Sequence, residues 1–149
     1  MWPQIPESLK IEHEALHAEL VRATTLPEAV GEAARAVAQA LHAHFEKEEE
    51  YALPPLGLLT SLARGEITPR MADVVAMTDR LEADLPHMLQ EHQAIVSALE
   101  KLILAAKAAN EPDVLRFVDK LLLHAQTEEE VSYPTSILIG KYLKLKLNR

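Results

Sequence analysis

The stretch "HAHFEKEEEYALPP" (residues 42–55) returns, altered but legible, as "LHAQTEEEVSYPTS" (residues 123–136). Both hold the frame H-x-x-x-E-E-E-x-x-x-P: His44, Glu48, Glu49, Glu50 and Pro54 in the first copy, and His124, Glu128, Glu129, Glu130 and Pro134 in the second. Every pair lies 80 residues apart. A doublet keeps nearly the same offset, since Glu12-His13 is echoed by Glu91-His92, 79 residues on. Each half of the chain is thus a segment bearing EH followed by a segment bearing HxxxEEE. On a helix, a histidine and a glutamate four residues apart share one face, about one turn from each other.

Working outward from these frames, the apolar residues recur at helical steps. Leu9, His13, Leu16 and Leu20 mark a first helix from about Pro6 to Thr24. Thr25-Leu26-Pro27-Glu28 reads as a capping box that starts a second helix. Its stripe is Val30, Ala34, Val37, Leu41, His44, Glu48 and Tyr51, and it stops before Pro54-Pro55. The linker "LGLLTSLARGEITP" is expected to be part loop and part short helix. Thr68-Pro69 opens a further helical stretch, which Pro86 is expected to bend or interrupt. Met88, His92, Ile95, Leu99 and Leu102 then mark a third main helix, and Val114, Phe117, Leu121, His124, Glu128 and Val131 a fourth. The tail after Pro134, "TSILIGKYLKLKLNR", reads as a short amphipathic helix over one end. The expectation is an all-α, up-down four-helix bundle made of two pseudo-repeated helical hairpins plus short extra helices. It forms a single domain over 1–149 with its core from about Ile5 to Tyr142.

Composition agrees with that architecture and removes several chemistries. Only 4 of 149 residues are Gly while 48% are hydrophobic, which favours long helices over turn-rich sheets. With no cysteine, disulfides, thiolate zinc sites, iron–sulfur clusters and cysteine nucleophiles are excluded. A net charge of −8 argues against a nucleic-acid partner. No apolar run reaches the length of a membrane span and "MWPQIPESLK" lacks a signal-peptide core, so a cytoplasmic protein without a membrane partner is expected.

The chemistry lies in the polar residues on the apolar stripes. His13, His44, Glu48, His92, His124 and Glu128 sit between Leu, Val and Ile neighbours one turn away, so they point into the bundle. A buried carboxylate without a positive partner costs several kcal/mol, roughly, and no Lys or Arg shares the stripes. Bound cations with neutral imidazoles as companion ligands would resolve the conflict. Glu49, Glu50, Glu129 and Glu130 point off the stripes, toward the surface or behind the ligands. His42 falls on the opposite side of its helix from His44 and is expected to be exposed. No catalytic residue is read from the sequence.

Four segments, "IEHEALH" (11–17), "HFEKEEEYALPP" (44–55), "LQEHQAI" (89–95) and "HAQTEEEVSYP" (124–134), together resemble the hemerythrin-like (HHE cation-binding) domain family. The resemblance implies a four-helix bundle holding two non-haem iron ions, bridged by an oxo or hydroxo group. It further implies His13, His44, His92 and His124 as terminal ligands and Glu48 and Glu128 as bridging carboxylates. The implied function is to bind or react with dioxygen, peroxide or nitric oxide, in sensing, storage, iron handling or detoxification.

The chain departs from the oxygen-carrying members twice. Met88 stands where they have the first histidine of an HxxxH pair, and HxxxE replaces their HxxxxD on the fourth helix. The first change weakens the case for reversible oxygen carriage. His17, four residues after His13, is a further ligand candidate; His87 adjoins the Met88 position; and Tyr51 could supply a hydrogen bond or a phenolate. Two other readings stay open. Glu14-x-x-His17 and Asp84-x-x-His87 superficially offer the motifs of a ferritin-like di-iron oxidase. A metal-free interaction bundle could pair into a homodimer through "ILIGKYLKLKL".

Overall fold

The computed structural model describes residues 2–148, which contain helices and turns and no strand. Helix α1 spans Glu7–Thr24 and α2 spans Glu28–Lys47, continued by a π-helical turn over Glu48–Ala52. A 3₁₀ segment (Pro54–Leu58), the short α3 (Leu59–Ala63) and a second 3₁₀ turn (Pro69–Met71) carry the chain to α4, Ala72–Ala108. Helix α5 (Pro112–Thr127) is continued by another π turn, Glu128–Ser132, and then by α6, Tyr133–Leu147. Helix α1 packs on α2 and α5, and α4 packs on the same two, so the four long helices close into a ring. Among the described residues no helix is long and apolar enough to cross a membrane.

The stripes read from the sequence bury as their spacing demands. Leu16, Leu20, Val37, Leu41, Ile95, Leu99, Phe117 and Leu121 belong to one apolar cluster. Leu53, Leu56, Met71, Val74, Ile139 and Leu143 form another, where α6 lies against the first half of α4. Gly140 makes that close approach feasible, because a Cβ there would lie 2.5 Å from Thr78 Cβ. Ser136 adds a buried bond, its hydroxyl donating to the Ala52 carbonyl at 2.6 Å.

Several expectations are corrected. Pro86 neither breaks nor ends its helix: α4 is continuous for 37 residues through it. The proline and Glu82, whose carbonyl loses its partner, both lie on the exposed side, where water can take the vacant bond. Thr25 does not cap α2; its hydroxyl donates back to the Arg22 carbonyl at 2.7 Å, and Glu28 begins the helix without a side-chain cap. Pro134 does not end the fourth helix either. It stands near the start of α6, exposed like Glu130 four residues before it, so water can take the bond that its missing N–H leaves vacant.

Val131, expected inside, is 55% exposed. The π turn is the cause. Tyr133 N–H bonds the Glu128 carbonyl five residues back, as Leu53 N–H bonds that of Glu48 at 2.8 Å. An i→i+5 turn brings residues five apart onto one face and swings the intervening ones outward. The tail "ILIGKYLKLKL" packs largely on α4 within its own chain, through Ile139, Gly140 and Leu143, leaving Leu138 and Leu145 exposed.

Candidate metal centre

His13 from α1, His44 from α2, His92 from α4 and His124 from α5 are all buried, as are Glu48 and Glu128 at the starts of the two π turns. Ligand atoms of His13, Glu48, His124 and Glu128 lie within 4.8 Å of one another, and so do those of His44, His92 and Glu128. Glu128 belongs to both groups. Hence the two groups form one cluster.

The imidazoles share an orientation. Nδ1–H of His44 donates to Glu91 Oε1 at 3.0 Å, that of His92 to Glu129 Oε1 at 2.9 Å, and that of His124 to Glu12. His13 Nδ1 faces Glu49 at 3.9 Å. Because an ionised carboxylate only accepts, each outward bond puts a proton on Nδ1, so that in the neutral ring the Nε2 lone pair points inward. His13 Nε2 and His124 Nε2 face each other at 3.1 Å.

The doublets of the sequence thereby gain a role that was not read from them. Glu12 and Glu91, each preceding a stripe histidine, anchor histidines on the neighbouring helices, His124 and His44. The middle glutamates of the two EEE runs, Glu49 and Glu129, face His13 and His92. The 79–80-residue repeat was the available signal, since a glutamate repeated along with the stripe histidines serves them in both halves. Lys47 Nζ holds Glu91 from the far side at 3.1 Å. Burial works against ionisation of Glu91, but the bonds from His44 and Lys47 prevail and hold it below its ordinary value.

The carboxylates at the centre are poorly served by protein donors. Glu48 Oε1 and Glu128 Oε2 are buried without a hydrogen-bond partner. His124 Nε2 lies 3.0 Å and His13 Nε2 3.7 Å from Glu128 Oε2, close in distance yet not aimed as donors. Burial and the nearby Glu128 charge push the Glu48 carboxyl well up. For Glu128, burial is outweighed by the close approach of the Glu48 carboxyl and the histidines, which holds it well below the carboxylate range. The two carboxyls thus shift in opposite directions, Glu48 toward its neutral form and Glu128 toward its ionised one. His92 and His124 are also held above 6.5, where bonds to Glu128 and to Glu129 or Glu12 overcome burial, whereas burial pulls His44 down.

This donor set fits a pair of cations: inward lone pairs, two orphaned carboxylate oxygens and outward carboxylates that orient each ring. Tyr133 stands among them and was missed by sequence reading. Its hydroxyl donates to Glu48 Oε2 at 2.8 Å and lies 3.2 Å from both His44 Nε2 and His92 Nε2. Five residues from Glu128, it falls outside any α-helical stripe through that residue and faces inward only because of the π turn.

The remaining candidates lie elsewhere. His17 is exposed and lines a groove of about 1020 Å³ between α1 and α2, with His13, Glu14, His42 and Phe45 among its other walls. Phe45 stacks on His13 there at 4.5 Å. His42 pairs with Glu46 on the surface, and exposed His87 pairs with Asp84. Glu14, His17 and His87 all face outward, so the ferritin-like motifs do not converge in the interior. Tyr51 is buried but donates to Asp84 on α4.

Against known families, the model of the hemerythrin HHE cation binding domain matches residues 4–136. No curated protein and no solved structure matches the chain. With nearly its whole length matched and the repeated His/Glu frames folded together in a helical bundle, the chain belongs to the hemerythrin HHE cation-binding domain family.

Proposed function

We propose that the chain holds two non-haem iron ions, one between His13 and His124 and the other between His44 and His92, with Glu48 and Glu128 bridging. The observation that carries this is the pair of buried, partnerless carboxylate oxygens facing inward imidazole nitrogens. Iron, rather than another divalent ion, rests on family membership, since His/Glu ligands also accept zinc or manganese. His17 is outside the proposed ligand set. The metal-free bundle is disfavoured by the same orphaned oxygens, which such a bundle would leave without a partner.

Bound at this centre, iron supplies open coordination positions at which dioxygen, peroxide or nitric oxide is held or reacts. The chain's own residues do the rest. Glu12, Glu91 and Glu129 fix the tautomer and orientation of the rings. The apolar clusters on either side restrict water, and the groove beside His13 and Phe45 gives a small molecule its approach.

Anaerobic loading with ferrous iron, checked by metal analysis, tests the reading. Dioxygen, peroxide and nitric oxide are then added in turn while the optical spectrum is followed. A stable, reversible oxygenated spectrum marks carriage or sensing; rapid consumption of peroxide marks detoxification. A protein that takes up no iron would sink the proposal.

A further inference from the structure

Tyr133 is the one hydroxyl inside the cluster, and its surroundings do not match an ordinary buried phenol. Four atoms approach its oxygen: Glu48 Oε2 at 2.8 Å, His44 Nε2 and His92 Nε2 at 3.2 Å each, and Glu128 Oε1 at 3.4 Å. With both rings neutral and both carboxylates ionised, the forms that metal ligands need, all four are acceptors. A phenol has a single proton to share among them. The side chain is fully buried, so water cannot supply the missing donors.

The two halves of the cluster are also unequal. The His13/His124 position draws on both Glu48 and Glu128, whereas the group around His44 and His92 includes Glu128 alone. Glu48 reaches that group only along its His44 edge, with Oε1 3.5 Å from His44 Nε2, and the phenol oxygen stands 3.2 Å from both rings there. The hydroxyl of Tyr51, by contrast, turns away to Asp84 and Met88.

We propose that the Tyr133 oxygen is a direct ligand to the ion held by His44, His92 and Glu128. This rests on the di-metal reading above and deepens it. As the oxygen–metal bond forms, the phenol O–H bond breaks, and its proton leaves to solvent with the water shed by the entering ion. The His44/His92 side is then closed by the tyrosine. The His13/His124 side, next to the groove between α1 and α2, is left as the face at which an outside molecule binds.

The test compares wild type, Tyr133→Phe and Tyr51→Phe after anaerobic loading with ferrous iron and oxidation in air. Iron content is measured beside visible absorption and resonance Raman spectra. Wild type and Tyr51→Phe are expected to show a phenolate-to-iron charge-transfer band with enhanced tyrosine ring modes. Tyr133→Phe should lose both while keeping its iron. If Tyr133→Phe does not fold, ring-deuterated tyrosine incorporated into wild type and Tyr51→Phe gives the answer, since the enhanced modes must shift in both. Iron-loaded wild type lacking the band, or a band that survives in Tyr133→Phe, overturns the proposal while leaving the di-iron reading intact. Failure of every form to take up iron overturns both.

Discussion

At the scale of single residues, the centre is built from histidines whose two nitrogens have different tasks. The outward nitrogen is tied to a carboxylate from another helix and the inward one is left free. Removing such an outer carboxylate loosens the ring without touching a ligand, and in metal sites this typically lowers affinity about 10–100-fold. Glu91→Gln and Glu129→Gln are therefore expected to weaken metal binding by about that factor, read by competition with a chelator of known affinity. Glu48→Ala and Glu128→Ala remove proposed ligands and should lose most of the metal, whereas His42→Ala, which pairs only with Glu46 on the surface, should retain it. Metal analysis of the purified variants decides; full iron content in both glutamate variants would contradict the bridging assignment.

Among the helices, two features set the geometry. The π turns at Glu48–Ala52 and Glu128–Ser132 occupy equivalent places in the two halves and come directly after α2 and α5. Each begins at a central carboxylate and shifts the phase of the residues beyond it, which is how Leu53 and Tyr133 come inward. After them the halves diverge. Pro54-Pro55 turns the first chain segment away into a 3₁₀ helix, while the lone Pro134 lets α6 run on along α4. That contact depends on Gly140. Gly140→Ala would drive a methyl group into Thr78, and overpacking of this kind costs about 1–3 kcal/mol. A fall in the urea midpoint, with the slope of the transition unchanged, is the expected result. An unaltered midpoint would mean that α6 can shift away from α4 at no cost.

For the molecule as a whole, the centre couples stability to protons and, in the proposed reading, to metal. In the chelated protein, His92 and His124 have folded values above the 6.5 of the free imidazole. Their contribution is complete below 6.5 and is lost as pH rises through the folded values. Glu48, raised from 4.5, acts in the same direction. His44 acts oppositely, but its lowered value confines it to pH below 6.5, and Glu128 acts only below 4.5. The chelated protein should therefore lose thermal stability as pH rises from 6.5. Metal binding has the reverse dependence, because its ligands must be deprotonated. Thermal midpoints of the chelated and iron-loaded forms across this range should diverge; parallel curves would count against a shared set of ligands.

The sequence by itself determined the helices, the stripes and the inward position of His13, His44, His92, His124, Glu48 and Glu128. All of these come from local periodicity, because a residue among aliphatic neighbours one turn away shares their face. The repeat also disclosed the matching of the two halves. Tertiary structure alone decided the rest. Periodicity assumes a constant turn, so it placed Val131 inside and could not see Tyr133, whose position depends on an i→i+5 turn. Spacing within a helix cannot say what lies opposite, so the pairing of Glu12 with His124 and of Glu91 with His44 emerged only when the helices met. His17 shares the face of His13 by spacing, yet the groove between α1 and α2 leaves it in solvent, because neighbouring helices rather than sequence period decide what is covered.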